Sequence, residues 1–422
     1  MASPITREQL LQEIKAAREK RKAPDFSKKN LQQLDLSGQD LLGVKLQSAD
    51  LQGCNLQRAN LQGANLQGAK LQAATMQQTD LRGADLRGAN LQGANLQGAN
   101  LLGANLEKAN VQQANLTEAN LERAGLQKAT LTGAILAGTI LPGANLEGVD
   151  LRGLDISTAN LQGANLNEAN LADLQLAGFD LSRATLQAAS LEGTNLQGAN
   201  LEGVNFTGIS AFFSSRATKF NRANLSGANL RAAGLSEADL RQAALVGVNL
   251  AGANLSAANL HGLDLSQVDL QGANLEGADL SGVTLLGATL RAVNLQSAQL
   301  AGANLTGVDL QGANLTSANL AEAGLSGANL PQVSLRGAIL RGADLQQANL
   351  AGIDLQTADL TGANLTGANL LGADLSGAAL SAANFDAADV RAVCFKEAGF
   401  NADTRWPEGV DPALVRGLNR AD

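Results

Sequence analysis

Residues 61–65 read Leu-Gln-Gly-Ala-Asn, and residues 91–95 read the same five again. Around them an apolar residue returns at every fifth position: Leu31, Leu36, Leu41, Leu46, Leu51 and onward to Phe206, with Met76, Val111 and Ile156 as variants. A second run, in a shifted frame, passes from Phe220 through Leu225, Leu230 and Leu235 to Phe385, Val390, Phe395 and Phe400. The runs hold 36 and 37 pentads. A period of five suits neither standard element. Five helical steps rotate by roughly 140°, which would scatter the leucines around a cylinder, and an odd period on a strand would alternate them between faces. The chain must therefore turn once per repeat. Gly two positions after the leucine and Asn or Asp just before it supply the turn chemistry. Ala two positions before the leucine is small enough to point inward beside it. The position after the leucine varies among Gln, Arg, Glu, Thr and Ser, as a solvated position does.

These residues, Ala-(Asp/Asn)-Leu-x-Gly in register, resemble the pentapeptide-repeat family, and the resemblance covers nearly the whole chain. It implies an all-β fold, a right-handed quadrilateral β-helix in which four pentads make one square coil and residues 20 apart stack. The chain would then form about 18 coils, each supported by its neighbours, in a rod about 85–90 Å long at one strand spacing per coil.

Stacking makes the surface readable. Gln32, Gln52, Gln72, Gln92 and Gln112 fall in one column, where an amide ladder is expected. Arg87 lies one coil from Glu107 and is expected to pair with it, which contributes little at an exposed site. Ile135, Ile140 and Ile339 replace the Asn or Asp before the leucine, so these side chains are expected to be partly exposed. Leu174 and Phe179 replace the inward Ala and must widen the coil or displace a neighbour. Cys54, also at an inward Ala position, reads as a small buried hydrophobe.

Composition excludes more than it selects. The net charge of -8, from 31 Lys and Arg against 39 Asp and Glu, is mild for 422 residues. The first 30 residues run against it, with eight basic and four acidic side chains. Cys54 and Cys394 announce neither a disulfide framework nor a metal site. With no signal-peptide pattern and no apolar run of about 18 residues, the expectation is a cytoplasmic chain with no membrane span. The one histidine, His261, sits at the outward position after Leu260. No nucleophile, base and acid set forms around it, and no P-loop ending occurs. No catalytic residue, cofactor or metal site is expected, and the chain is not expected to be an enzyme. The Asp residues mostly precede a leucine, where they fold back on the turn.

The repeat fails at three places. Before Leu31, Thr6 and Gln9 make a capping box, Leu10, Leu11, Ile14 and Ala17 follow at helical spacing, and Pro24 stops the run, so a helix is expected over 7–22. It would cover the open end of the first coil, with Lys20, Arg21 and Lys22 as a solvated end or, alternatively, a contact for nucleic acid or an anionic membrane. Between Phe206 and Phe220 the frame shifts across Phe212, Phe213 and Arg216, the two phenylalanines either plugging a junction or standing out for a partner. After Phe400 come Trp406 and Asp411-Pro412, which predict a short helix over 412–419 that seals the last coil or joins two copies. The expected organisation is 1–30 as N-terminal cap, 31–210 as first arm, 211–219 as junction, 220–400 as second arm and 401–422 as C-terminal cap.

The function expected is a non-enzymatic scaffold for an unknown protein partner. Candidate contacts are Phe212, Phe213, Arg216, Ile135, Ile140, Lys20, Arg21, Lys22 and Trp406. The chain would be a monomer or an end-to-end homodimer and would not bind nucleic acid directly. The resemblance also implies an alternative, since some members of the family imitate duplex DNA and protect or inhibit DNA gyrase.

Overall fold

One pentad contains the fold. The Leu91 carbonyl accepts the Ala94 N–H at 2.9 Å and closes a tight turn. Its third residue, Gly93, has φ +65°, as a type II turn requires. The Asn90 side-chain oxygen accepts the Gln92 N–H at 3.1 Å and fixes the approach to that turn. Leu91 and Ala89 are fully buried. The chain then bonds to its own neighbouring coils: Leu91 N–H to Asn110 O at 2.7 Å, Gly93 N–H to Gln112 O at 2.9 Å, and Asn90 N–H to Ala69 O at 2.9 Å. Parallel bridges accordingly pair Lys70 with Asn90 and Asn90 with Asn110. An offset of 20 is four pentads, so each coil has four sides around a core of leucines with alanines beside them.

A computed structural model describes residues 5–206, 220, 222–231, 233–330, 333–411 and 419–420. Contacts divide the chain into two units, Met1–Asn195 with Gly208–Lys219, and Leu196–Thr207 with Phe220–Asp422. The pentad repeats in both.

In the first unit the ladder starts one pentad before Leu31. Phe26 is buried, its N–H donates to Lys45 O at 2.8 Å, and Asp25 pairs with Lys45. A phenylalanine in place of the leucine hid this pentad. Before it runs α1, Arg7–Glu19, with the expected capping box on Thr6 and Gln9 and with Leu10 and Ile14 buried. The helix ends three residues sooner than expected. Arg21 N–H donates to Arg18 O and Lys22 N–H to Ala17 O, with Arg21 at φ +54°, so the chain leaves through a Schellman motif with Arg where Gly is usual.

In the second unit the ladder crosses the frame shift. Leu196 N–H donates to Asn224 O at 2.7 Å and Asn200 pairs with Asn229, an offset of 29 and so nine residues more than one coil. Phe206 and Phe220, on either side of the extra residues, are both buried, with ring centroids 5.2 Å apart. At the far end Asn384 pairs with Arg405, an offset of 21, so one inserted residue carries Trp406 into the ladder position above Phe385. The first strand, β1 (Gly399–Phe400), pairs in parallel with β2 (Asn419–Arg420). The helix expected over 412–419 lies outside the described residues except at Asn419, which is in β2.

At most third turn positions without Gly the backbone still adopts the left-handed conformation, as at Gln33 (φ +62°), Arg58 (φ +56°) and Lys108 (φ +56°), though not at Thr158 or Gln242. The ladder bonds on both sides hold these residues there against a cost of about 1–2 kcal/mol each. Gly63, at φ +63° with open space where a Cβ would stand, isolates that backbone cost. Gly63→Ala should lower stability by about 1 kcal/mol and Arg58→Gly should raise it by a similar amount. Urea unfolding of the two variants checks both signs.

Candidate functional sites

The expected contact residues do not converge on one place. Lys20, Arg21 and Lys22 are exposed at the end of α1. The helix itself is anchored by Arg7 Nε on Asp35 O at 2.8 Å and by Arg18, which donates to Asp40 O at 2.7 Å and pairs with its carboxylate. Those two carbonyls belong to the first coil, which has no preceding coil to donate to them, so the arginines stand in for missing ladder donors. Ile135 and Ile140 are 52% and 43% exposed, and Ile339 is exposed as well. Phe212, Phe213 and Arg216 lie outside the described residues.

Trp406 is half-buried in an aromatic stack at the end of the ladder. It lies parallel to Phe385 at 5.3 Å and edge-on to Phe395 and Phe400 at 5.5 and 5.8 Å. Its indole Nε1 is buried without a hydrogen-bond partner. Beside it, Thr404 Oγ1 donates to Leu380 O at 2.9 Å. Thr79, Thr139 and Thr194 use the same device at the inward Ala position, each donating to a leucine carbonyl of the preceding coil. Cys54 follows them, with Sγ 2.7 Å from Leu31 O, and burial pushes its thiol pKa up to about 11, so it is an inert structural thiol.

Several surface charges are paired within their own turn. Arg87 does not reach Glu107 as expected; it folds back on Asp85 of its own turn at 2.6 Å, and Glu107 meets Lys108. The same hook joins Arg82 to Asp80, Arg152 to Asp150, Arg241 to Asp239 and Arg391 to Asp389. In each case the hydrogen bond from the arginine holds the carboxyl below its ordinary value, and for Asp389 the pKa falls to about 2. The expected glutamine ladder is also displaced. No hydrogen bond joins Gln32, Gln52, Gln72, Gln92 and Gln112 to one another; Gln32 donates to Asp50 instead. The amide ladder runs through the asparagines before the leucines: Asn274 to Asn254 at 3.3 Å, Asn294 to Asn274 at 2.9 Å and Asn314 to Asn294 at 3.1 Å. His261 is exposed. Among the described residues no group of three or more His, Cys, Asp or Glu could hold a metal, and no helix is long and apolar enough to cross a membrane.

One place in the first unit departs from the repeat. The ladder bonds from Leu126 to Asn145 and from Leu146 to Asn165 are intact, yet those from Leu131 to Asp150, Leu136 to Asp155 and Ile156 to Gln175 are not formed. Gly138 N–H turns to Thr158 Oγ1 at 2.7 Å. Leu154 and Leu174, one coil apart, and Phe179 above Ala159 occupy positions that usually hold alanine, and Leu154 and Leu174 adjoin the last two of these gaps. Leu154 and Leu174 stay buried, while Phe179 is half-exposed. A recess of about 290 Å³ opens there, with Ser157, Thr158, Asn160, Gln162, Phe179 and Asp180 around it. Sequence reasoning singled out Leu174 and Phe179 but missed Leu154, whose signal was its place one coil from Leu174.

Comparison with known proteins matches this repeat to the family model for pentapeptide repeats (8 copies) in overlapping segments from residue 25 to residue 396, among them 25–63, 64–103, 169–208 and 358–396. The chain belongs to the pentapeptide-repeat family. Its fold is accordingly the right-handed β-helix. The pentapeptide-repeat chain is similar to HetL, a pentapeptide repeat protein involved in heterocyst differentiation regulation from the cyanobacterium Nostoc. The two are 32% identical over 68% of this chain and 96% of that one, with a TM-score of 0.23. It is also similar to QnrB1, a plasmid-mediated fluoroquinolone resistance protein, at 25% identity over 38% of this chain and 83% of that one, TM-score 0.29. A pentapeptide repeat protein of the Arabidopsis thaliana thylakoid lumen is 32% identical over 29% of this chain and 70% of that one, TM-score 0.22. No curated protein matches the chain.

Two consequences can be measured. Because the hooked carboxyls titrate below their unfolded value of 3.8, they stabilise the fold above about pH 4, and that stability drains away as pH falls toward about 2. Replacing Asp80, Asp85, Asp150, Asp239 and Asp389 by Asn, the commonest residue at this place in the turn, should flatten the fall of the melting temperature between pH 4 and pH 2. Trp406→Ala should destabilise the second unit by about 2–3 kcal/mol, as read from denaturant unfolding, because it deletes the ring that three phenylalanines pack against.

Proposed function

We propose that this pentapeptide-repeat protein is a non-enzymatic scaffold that meets a protein partner where the repeat is interrupted. The supporting observation is the division of labour within each pentad. The leucine and the alanine before it are buried almost without exception, whereas the position after the leucine is exposed or half-exposed and chemically varied. A surface so uncoupled from the core can vary to suit a partner at little cost in stability.

In this reading α1 and the Trp406 segment close the ends of the ladder, and the organisation follows the breaks: 1–30, 31–210, 211–219, 220–400 and 401–422. The contacts are Phe212, Phe213 and Arg216 at the junction, Ile135 and Ile140 on an exposed edge, and Lys20, Arg21 and Lys22 at the end of α1. The protein works in the cytoplasm as a monomer or an end-to-end homodimer. Imitation of DNA toward gyrase draws less support. Asp80, Asp85, Asp150, Asp239 and Asp389 each hold an arginine, which breaks up the continuous negative array a duplex would present.

Affinity capture with the full chain tests the scaffold. A partner retained by the intact protein should be lost on deletion of residues 212–216 or in the K20Q/R21Q/K22Q variant, with the melting temperature of the variant unchanged. Capture of the same proteins by all three forms would refute the assignment of these contacts. Inhibition of DNA supercoiling by the intact protein would favour the gyrase reading instead.

A further inference from the structure

We propose that the recess between residues 157 and 180 binds a single neutral sugar ring, with the Phe179 side chain as platform and the Gln162 amide and the Ser157 and Thr158 hydroxyls as polar rim. The inward position two before a leucine normally holds a buried alanine; at Phe179 it holds a half-exposed aromatic ring. A recess of about 290 Å³ lies beside that ring, next to the unformed bond between Ile156 and Gln175. This is near the lower end of ligand cavities and suits one ring better than an extended ligand.

The chemistry of the lining selects the ligand. A sugar offers an apolar C–H face and a rim of hydroxyls that both donate and accept. An aromatic ring takes the first. Amide and hydroxyl side chains, which also donate and accept, take the second. Among the described residues no Lys or Arg lines the recess and Asp180 does, which disfavours an anion. A quaternary amine would use the ring and the carboxylate. However, Gln162 Nε2 donates to Asp180 Oδ2 at 3.2 Å and to Ser182 Oγ at 3.3 Å, and Ser157 Oγ donates to Asp155 Oδ1 at 2.7 Å. The rim therefore meets a ligand chiefly as acceptors, the Gln162 carbonyl and the Ser157 hydroxyl oxygens, which suits the hydroxyl donors of a sugar. Because Ser157, Thr158 and Gln162 are exposed, the affinity should be on the order of millimolar.

The test uses the full chain with the methyl glycosides of glucose, galactose, mannose and N-acetylglucosamine, and with tetramethylammonium as the competing chemistry. Binding is read by saturation-transfer NMR and titration. At least one glycoside should bind saturably. Phe179→Ala restores the alanine that the repeat uses elsewhere, so it should fold with an equal or higher melting temperature and bind at least tenfold more weakly. Gln162→Ala, at an exposed position, should weaken binding severalfold without altering the melt. No saturable binding by any glycoside, equal binding by the Phe179→Ala variant, or saturation by tetramethylammonium alone would overturn the proposal.

Discussion

The fold of this protein depends on the bond from a core leucine's N–H to a carbonyl that in the regular coils lies 19 positions ahead. Leu91 to Asn110 is one example and Leu295 to Asn314 another, both at 2.7 Å. That bond brings the next coil to one strand spacing, stacks leucine on leucine, and holds most third turn positions in the left-handed conformation. Side chains as large as Arg58 and Lys108 accept that strain because two ladders hold the same turn. The strain is local and the ladder collective, so the repeat tolerates wide variation at its outward positions.

A ladder has ends, and these are where the chemistry changes. The first coil offers carbonyls that no earlier coil can satisfy, and α1 meets two of them with Arg7 and Arg18. The last pentads exchange leucine for Phe385, Phe395, Phe400 and Trp406, whose rings close over one another. Both ends use side chains to do what an adjoining coil does elsewhere. In the interior a ladder can also be interrupted. Leu154, Leu174 and Phe179 are larger than the alanine usual at their places, and the bonds from Leu136 and Ile156 beside Leu154 and Leu174 are not formed. A recess lies beside the Phe179 ring, and it is the feature that sets this stretch apart from the uniform coils before it.

The period of five implied an inward leucine and one turn per repeat, while the four-sided coil came from the resemblance to the pentapeptide-repeat family and the offset of 20 between paired residues bears it out. The role of Asp and Asn before each leucine followed from turn chemistry, and hydrogen bonds such as Gln62 N–H to Asn60 Oδ1 carry it. Exposure of Ile135 and Ile140 followed from register. Harder to read were the pentads without leucine: Phe26 sits before the evident start, and Trp406 is carried out of frame by one inserted residue. Harder still was the choice among surface partners. Arg87 can reach Asp85 or Glu107 from one position, and only the turn beneath it selects Asp85.

The sequence by itself determined the architecture of this protein, since a strict covalent period translates directly into a strict spatial one. Tertiary structure alone decided where that architecture yields. Whether a bulky inward residue is absorbed, as Leu154 is, or turned toward the surface, as Phe179 is, depends on the volume left by residues 20 positions away. Such a balance belongs to the packed coil and to no single repeat.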